Sequence, residues 1–223
     1  MKISLLTICP EQFNSFIETP LIARNISSGL LKMEIIDIRD FAPGSFRKVD
    51  DSPYGGGPGM IMRCQPIYDA LKEIRTADSH VIIMAPRGTP YKQETAHLLA
   101  EYKHLIIICG HYEGIDERVY ETADEIISIG DYILTGGELP AMVVCDSLVR
   151  LIEGSMKKES TIEESFEDGL LEYPQYTRPA DYNGMKVPEI LLSGNREKIA
   201  KWRKEKAQEL TEKNRPDLLK NNH

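Results

Sequence analysis

The sequence predicts an α/β fold: a mainly parallel sheet covered by helices on both faces, followed by a small helical C-terminal domain. Three observations predict it. Up to Arg150, apolar runs of strand length alternate with amphipathic stretches, the βαβα rhythm of a parallel sheet. Runs such as VIIMA and LIIIC are apolar throughout, as strands buried on both faces must be. After Arg150 the stretch EGSMKKESTIEESFEDG is polar, charged and without an apolar period, which marks a linker and a domain boundary.

The elements follow in order. KISLLTIC opens the chain as a first strand; interrupted by Ser4, Thr7 and Pro10, it lacks the long apolar core of a secretion signal. EQFNSFI and PLIARNISSGLL carry helical spacing, MEIIDIRD returns to strand, and a long loop containing DDSPYGGGPGMIM precedes the helical QPIYDALKEI. HVIIMAP, ending at Pro86, and HLIIICG, ending at Gly110, are strands separated by the helical ETAHLLAEY. EGIDERVYET reads as a helix, EIISIG as a short strand and LPAMVVCDSLVRLI as a helix. Past the boundary, a Pro- and Tyr-rich stretch leads to a helix capped by Asn195, with Ile199, Trp202 and Leu210 on its packed side. The expected organisation is a sheet domain over 1–155, a flexible linker over 156–165 and a helical domain over 166–223.

Composition narrows the function classes. With 223 residues, 41% hydrophobic and 28% charged, the chain is ordinary globular material, and its apolar runs fall far short of the ~18 residues of a membrane span. Cys9, Cys64, Cys109 and Cys145 lie far apart with no C-x-x-C pair and no zinc-type Cys/His spacing, so no metal site is expected. Cysteines set in apolar segments fit the reducing cytoplasm. A net charge of −8 opposes nucleic-acid binding unless basic residues cluster, and they do: between Arg196 and Lys206 lie six Lys/Arg against two Glu.

Three segments carry chemistry, and each has a purely structural reading beside it. DDSPYGGGPGMIM holds four glycines in five residues, which lets backbone approach a ligand; a surface loop explains them too, and neither G-K-[ST] nor G-x-G-x-x-G is present. CGHYEGIDERV places Gly110 at a strand end and Glu113, Asp116 and Glu117 near a helix start, where carboxylates also serve as caps. SIGDYILTGGELPAMV joins a strand to a helix through Gly136, Gly137 and Pro140, leaving backbone groups to line a cleft. In open parallel sheets ligands bind beyond the carboxyl ends of strands, which directs attention to the loops starting at Pro86, Gly110 and Gly130.

Taken together, YGGGPGM, CGHYEGIDERV and SIGDYILTGGELPAM, followed by LLEYPQYTRP and LLSGN, closely resemble the bacterial tRNA (guanine-N1-)-methyltransferases of the SPOUT superfamily, over essentially the whole chain. The resemblance implies a Rossmann-like sheet whose C-terminal part is threaded into a trefoil knot, against the general rule that chains are not knotted. It implies a homodimer with the active site at the interface, a tRNA partner and no membrane. The implied reaction moves a methyl group from S-adenosylmethionine to N1 of the guanine just 3′ of the anticodon, position 37, which supports reading-frame maintenance. Some members of the family depend on Mg²⁺, which leaves that ion open as a second cofactor.

Carried over by position, the donor pocket takes Pro86 from the first loop and Gly110, Tyr112 and Glu113 from the second. Its third wall is the run Ser128, Ile129, Gly130, Asp131, Tyr132, Ile133 and Leu134, followed by Gly136, Gly137 and Pro140. N1 of guanine must lose a proton as it is methylated, which requires a base, and charge then grows on O6, which an arginine can stabilise. Arg150 matches the family's arginine. Where the family has an aspartate before a Ser-Phe pair, this chain has Glu164, the same group on a stem one methylene longer; Glu163 and Asp168 are neighbouring alternatives. His111 stands where some relatives carry arginine. Ser165, Arg178 and the basic 196–206 stretch are the implied RNA contacts.

Rival readings are a non-catalytic RNA-binding dimer, which the glutamate for aspartate would fit, and a relative that methylates a ribose 2′-hydroxyl. Intact Arg150 and donor-loop motifs oppose the first, and the linker carboxylate with LLEYPQYTRP opposes the second. A dehydrogenase is opposed by the missing glycine fingerprint.

Overall fold

A computed structural model describes residues 1–157 and 164–220. The chain divides into two compact units, the first Met1–Met156 and the second from Lys157 onward. Most of the expected linker, together with Glu163, lies outside the described residues.

The first unit contains, in order, β1 (Lys2–Thr7), α1 (Asn14–Ile17), α2 (Pro20–Ser27), β2 (Lys32–Asp37), the two-residue strands β3 (Asp50–Asp51) and β4 (Ile61–Met62), and α3 (Cys64–Ile74). It continues with β5 (Ser79–Pro90), α4 (Gln93–Ala100), β6 (His104–Cys109), α5 (Glu117–Tyr120), β7 (Glu125–Ser128) and α6 (Glu138–Val149). The central sheet has the order β2-β1-β6-β5-β7 and every pairing in it is parallel.

Its strands sort their side chains between two cores by simple alternation. Leu105 and Ile107 of β6 join Ile3, Leu5 and Ile82 on one face, packed by Ile22 of α2, Leu99 of α4 and Val144 and Leu148 of α6. Ile106 and Ile108 join Leu6, Val81 and Ile83 on the other, packed by Ile67 and Leu71 of α3 and Val119 of α5. All six residues of β6 are buried. The expected parallel sheet with helices on both faces is therefore what these apolar runs form.

Two expectations need correction. The strand of HVIIMAP does not end at Pro86: β5 runs on to Pro90, pairing with β7 a second time, so that Met84 and Thr89 both face Ile127. Gly88 makes this re-entry feasible, because a β-carbon there would stand 2.6 Å from the backbone of Ile126 and Ile127. The helix expected over EGIDERVYET shrinks to the four residues of α5, whose N-cap is Asp116, accepting from the backbone N–H of Arg118 at 3.0 Å.

In the second unit a hairpin pairs β8 (Asp181–Tyr182) with β9 (Met185–Lys186), turning through Asn183 and Gly184 at φ 55° and 82°, the left-handed pair that a two-residue hairpin turn needs. Helices α7 (Glu189–Leu192), α8 (Arg196–Asn214) and α9 (Asp217–Lys220) follow. Asn195 caps α8 as its position predicts, accepting from Lys198 N–H at 3.1 Å. Ile199, Trp202 and Leu210 are half-buried, and the buried residues of α8 are Ala207 and Thr211. Thr211 Oγ1 accepts the backbone N–H of Leu171 at 2.9 Å and donates to Ala207 O at 2.7 Å, a polar contact that an apolar period does not reveal.

Candidate active site

The three chemistry-bearing segments meet beyond the C-terminal ends of β6 and β7, beside Met84 to Pro86 in the middle of β5. Gly137 N–H donates to Gly110 O at 2.7 Å and His111 bridges Gly136, which joins the loop before α6 to the loop after β6. The glycine-rich segment arrives through β4: Met62 N–H donates to Gly114 O at 2.9 Å, Asp116 N–H returns to Met62 O at 2.9 Å, and Glu113 N–H reaches Met60 O at 3.0 Å. At the end of that segment Gly59, at φ 79°, lies directly against the Glu113 side chain, where a β-carbon would collide. The glycine run itself stays exposed, as a surface loop would be, and only its end is tied to the second segment.

Between the loops lies a cleft of about 390 Å³, within the range of small-molecule sites. Pro86 lines it from β5, and Gly110, Tyr112 and Glu113 from the β6 loop. Ser128, Ile129, Gly130, Tyr132, Ile133 and Leu134 line it from β7 onward, with Gly136, Gly137 and Pro140 closing it. Asp131 is the exception, an exposed residue that does not line the cleft. Sequence reasoning had left out Met84, His111, Ile115, Tyr120 and Thr135, which also line it. Tyr120 gave no local signal; it is brought in by Arg87, whose guanidinium sits 3.4 Å from the ring centroid while paired with both oxygens of Glu117 at 2.8 and 3.0 Å.

The cleft is built largely of backbone. Gly130 takes φ 150° and its N–H and C=O both engage Ser128 Oγ, at 3.3 and 3.2 Å. A β-carbon on Gly137 would stand 2.7 Å from Cys109 Cα, and one on Gly110 would press on Ile115 at 3.2 Å. Tyr112 holds φ 58°, a strained conformation for an aromatic residue and one that collects at functional sites. Burial, then the charge of Asp50, raises the Tyr112 phenol above its ordinary range. Burial raises the Cys109 thiol well above its ordinary value and the Cys145 thiol to about 12, so both stay protonated core groups.

Arg150 is the C-cap of α6 and half-buried, where a cation meets the negative end of the helix. The turn after it is anchored by α2: Arg24 donates to Ser155 O at 2.7 Å and Asn25 Nδ2 to Ser155 Oγ at 2.8 Å.

In the second unit Glu164 and Ser165 belong to an ordered turn. Ser165 Oγ accepts the backbone N–H of Glu172 at 2.9 Å, and Phe166 N–H donates to Leu170 O at 2.8 Å. Glu164 and Asp168 line a cleft of about 610 Å³ together with Arg196, Arg203 and Lys204 of α8. Arg178 is exposed.

A family model described as tRNA (Guanine-1)-methyltransferase TrmD matches residues 1–221. The chain belongs to this family. Curated relatives agree with it: a tRNA (guanine-N(1)-)-methyltransferase of Caldanaerobacter subterraneus subsp. tengcongensis is 50% identical over 222 residues, covering 99% of this chain and 92% of the relative. One of Metamycoplasma arthritidis is 50% identical over 220 residues, covering 98% and 96%, and one of Clostridioides difficile is 48% identical over 227, covering 99% and 98%.

Membership of the TrmD family implies a methyl donor of the S-adenosylmethionine type. The residues present fit such a group: Gly110, Gly130, Gly136 and Gly137 bring main chain to the cleft wall, which suits a polar base, and Ile129, Ile133 and Leu134 offer apolar surface. Mg²⁺ finds no comparable support. Among the described residues the one close group of three metal-ligating side chains is Cys9, His111 and Glu138, not the all-oxygen set that Mg²⁺ takes. Among the described residues no helix is long and apolar enough to cross a membrane.

Proposed function

We propose that this chain transfers a methyl group from S-adenosylmethionine to N1 of the guanine immediately 3′ of the anticodon, position 37 of tRNA, and so supports reading-frame maintenance in the cytoplasm. The observation that carries the reading is the backbone-walled cleft where Gly110 and Gly137 meet. In this reading 1–155 is the methyltransferase domain, 156–165 a linker and 166–223 a tRNA-binding domain.

When bound, S-adenosylmethionine supplies an electrophilic methyl group. Pro86, Gly110, Tyr112, Glu113, Ser128, Ile129, Gly130, Tyr132, Ile133, Leu134, Gly136, Gly137 and Pro140 hold and orient the donor, chiefly through main-chain groups. Asp131, outside the cleft wall, keeps only a rim role. Glu164 takes the N1 proton, and Arg150 donates to the O6 on which charge grows. Ser165, Arg178 and the cations of α8 hold the RNA, the last by phosphate charge.

The reading also includes a trefoil knot in the C-terminal part of the sheet domain, and a homodimer with the donor cleft at its interface. Support for the dimer comes from exposed apolar residues beside the cleft. Ile133 is 81% exposed, and Leu139 and Val143 on one side of α6 are 56% and 47% exposed, an apolar face that a partner chain would cover.

The test is methyl transfer from labelled S-adenosylmethionine to an unmodified tRNA transcript carrying guanine 3′ of the anticodon, beside the same transcript carrying adenine. Label recovered as 1-methylguanine from the first transcript alone is expected. Label in ribose, or donor binding without transfer to either transcript, would refute the reading.

A further inference from the structure

Three residues that nothing in the chain order relates come together around His111, which lines the cleft. Leu6 of β1 and Ile108 of β6 are paired neighbours, so the segments leaving these two strands emerge side by side, carrying Cys9 and His111. Glu138, the first residue of α6, enters from the third segment. One ligand atom from each, the Cys9 sulfur, a His111 ring nitrogen and a Glu138 carboxylate oxygen, lies within 4.8 Å of the other two. We propose that Cys9, His111 and Glu138 form a binding site for a divalent cation of the zinc class.

The donor set is the first argument. Thiolate, imidazole and carboxylate together are the borderline-soft mixture that zinc takes, and hard cations do not use thiolate. With bonds of about 2.0–2.3 Å, tetrahedral ligands stand about 3.3–3.8 Å apart, so closing the site asks for side-chain rotation of roughly one ångström, without movement of the sheet.

Second, the site has a built outer layer. Thr7, fully buried, donates from Oγ1 to Glu138 Oε1 at 2.7 Å, and the same Oγ1 accepts the backbone N–H of Cys9 at 2.9 Å. One hydroxyl thus orients two of the three ligands, as outer-layer groups of metal sites do. Gly136 adds to this: a β-carbon there would collide with Glu138 Oε2 and stand 2.7 Å from His111 Cδ2. The absence of a side chain is what lets imidazole and carboxylate approach.

Third, the carboxylate needs a countercharge. Glu138 is 1% exposed, and among the described residues no Lys or Arg nitrogen pairs with it. A buried carboxylate whose one hydrogen-bond partner among the described residues is the Thr7 hydroxyl is costly, and a cation in contact offsets that cost. Three protein ligands leave a fourth position for water, and His111 places the ion at the cleft wall. The ion pins the loops after β1 and β6 to the start of α6, which are the parts that shape the cleft.

The experiment is titration of the chelator-stripped full chain with Co²⁺, followed by displacement with Zn²⁺. Expected are a thiolate-to-cobalt charge-transfer band, d–d bands of tetrahedral strength and saturation at one ion per chain. Cys9→Ser abolishes the band, His111→Gln lowers Zn²⁺ affinity by about 100-fold or more, and Thr7→Val lowers it by about 10–100-fold. Cys64→Ser, away from the site, leaves band and affinity unchanged. No charge-transfer band in the unsubstituted chain overturns the site, as does a band that survives Cys9→Ser. Should Cys9→Ser not fold, zinc-edge X-ray absorption on the unsubstituted chain decides: one sulfur among nitrogen and oxygen neighbours supports the site, and a shell without sulfur refutes it. No readout depends on methyl transfer, so its result is independent of the proposed reaction.

Discussion

Gly137 lies directly on the strand end at Gly110: its N–H donates to the Gly110 carbonyl at 2.7 Å, and a β-carbon on it would stand 2.8 Å from Gly110 N. Those atoms are backbone on both sides, so no rotamer change relieves the clash. Gly137→Ala is therefore expected to cost about 1–3 kcal/mol of stability and to weaken S-adenosylmethionine binding by at least about tenfold. Calorimetric titration checks the binding and urea unfolding the stability. Gly184→Ala, in a turn with open space around it, loses only stability, through its positive φ.

Glu164→Gln is expected to lower kcat by about 10²–10⁴-fold, the usual weight of a positioned base, with donor binding unchanged. Single-turnover methyl transfer beside calorimetry separates the two. Near-normal turnover would pass the base role to Asp168, on the same cleft of the second unit, or to Glu163.

The α8 cations give an ionic-strength prediction. Lys198 and Lys204 are exposed, and replacing either by alanine is expected to weaken tRNA binding alike for all tRNAs. The slope of log affinity against log salt should fall by roughly 0.7–0.9 for each phosphate that is no longer neutralised. Filter binding at several salt concentrations measures it; an unchanged slope removes α8 from the interface.

Thr211→Val keeps volume but removes the acceptor of Leu171 N–H. A buried backbone donor left without a partner costs about 1–3 kcal/mol. Hydrogen exchange at Leu171 and thermal unfolding of the second unit should both register that cost, while donor binding in the first unit stays unchanged.

Acid stability has two windows. His104 is buried, with Ser4 Oγ at 2.9 Å from Nε2 and Ser79 Oγ at 2.8 Å from Nδ1, and burial, helped by Lys2, lowers its pKa. The folded state thus binds a proton less readily than the unfolded chain, so its contribution is complete above about pH 6.5 and is lost as pH falls through the folded value. Glu34, held at about 2 by hydrogen bonds from Lys2 and Lys32, works in the same direction. Its contribution stands above about pH 4.3 and fades towards 2. Urea midpoints measured from about pH 7.5 to 5 should fall, and His104→Gln should flatten that limb without altering the one below about pH 4.

How much was legible in the chain depends on the range of the interaction involved. Strand runs such as LIIIC and the Asn195 cap act within a few residues, and their periodicity and side-chain chemistry decide parallel strands, helices on both faces and the start of α8. The segments around Gly110 and Gly136 were legible as motifs for the same reason. Tertiary structure decided the rest, because it depends on atoms far apart in sequence. It bent β5 back against β7 at Gly88, set the Thr211 hydroxyl of α8 on the backbone of Leu171, and left Asp131 off the cleft wall. It also brought a cysteine, a histidine and a glutamate within 4.8 Å of one another although each is separated from the next by the length of an element or more. No spacing rule reaches such a cluster, since its ligands are set by which strands lie side by side in the sheet.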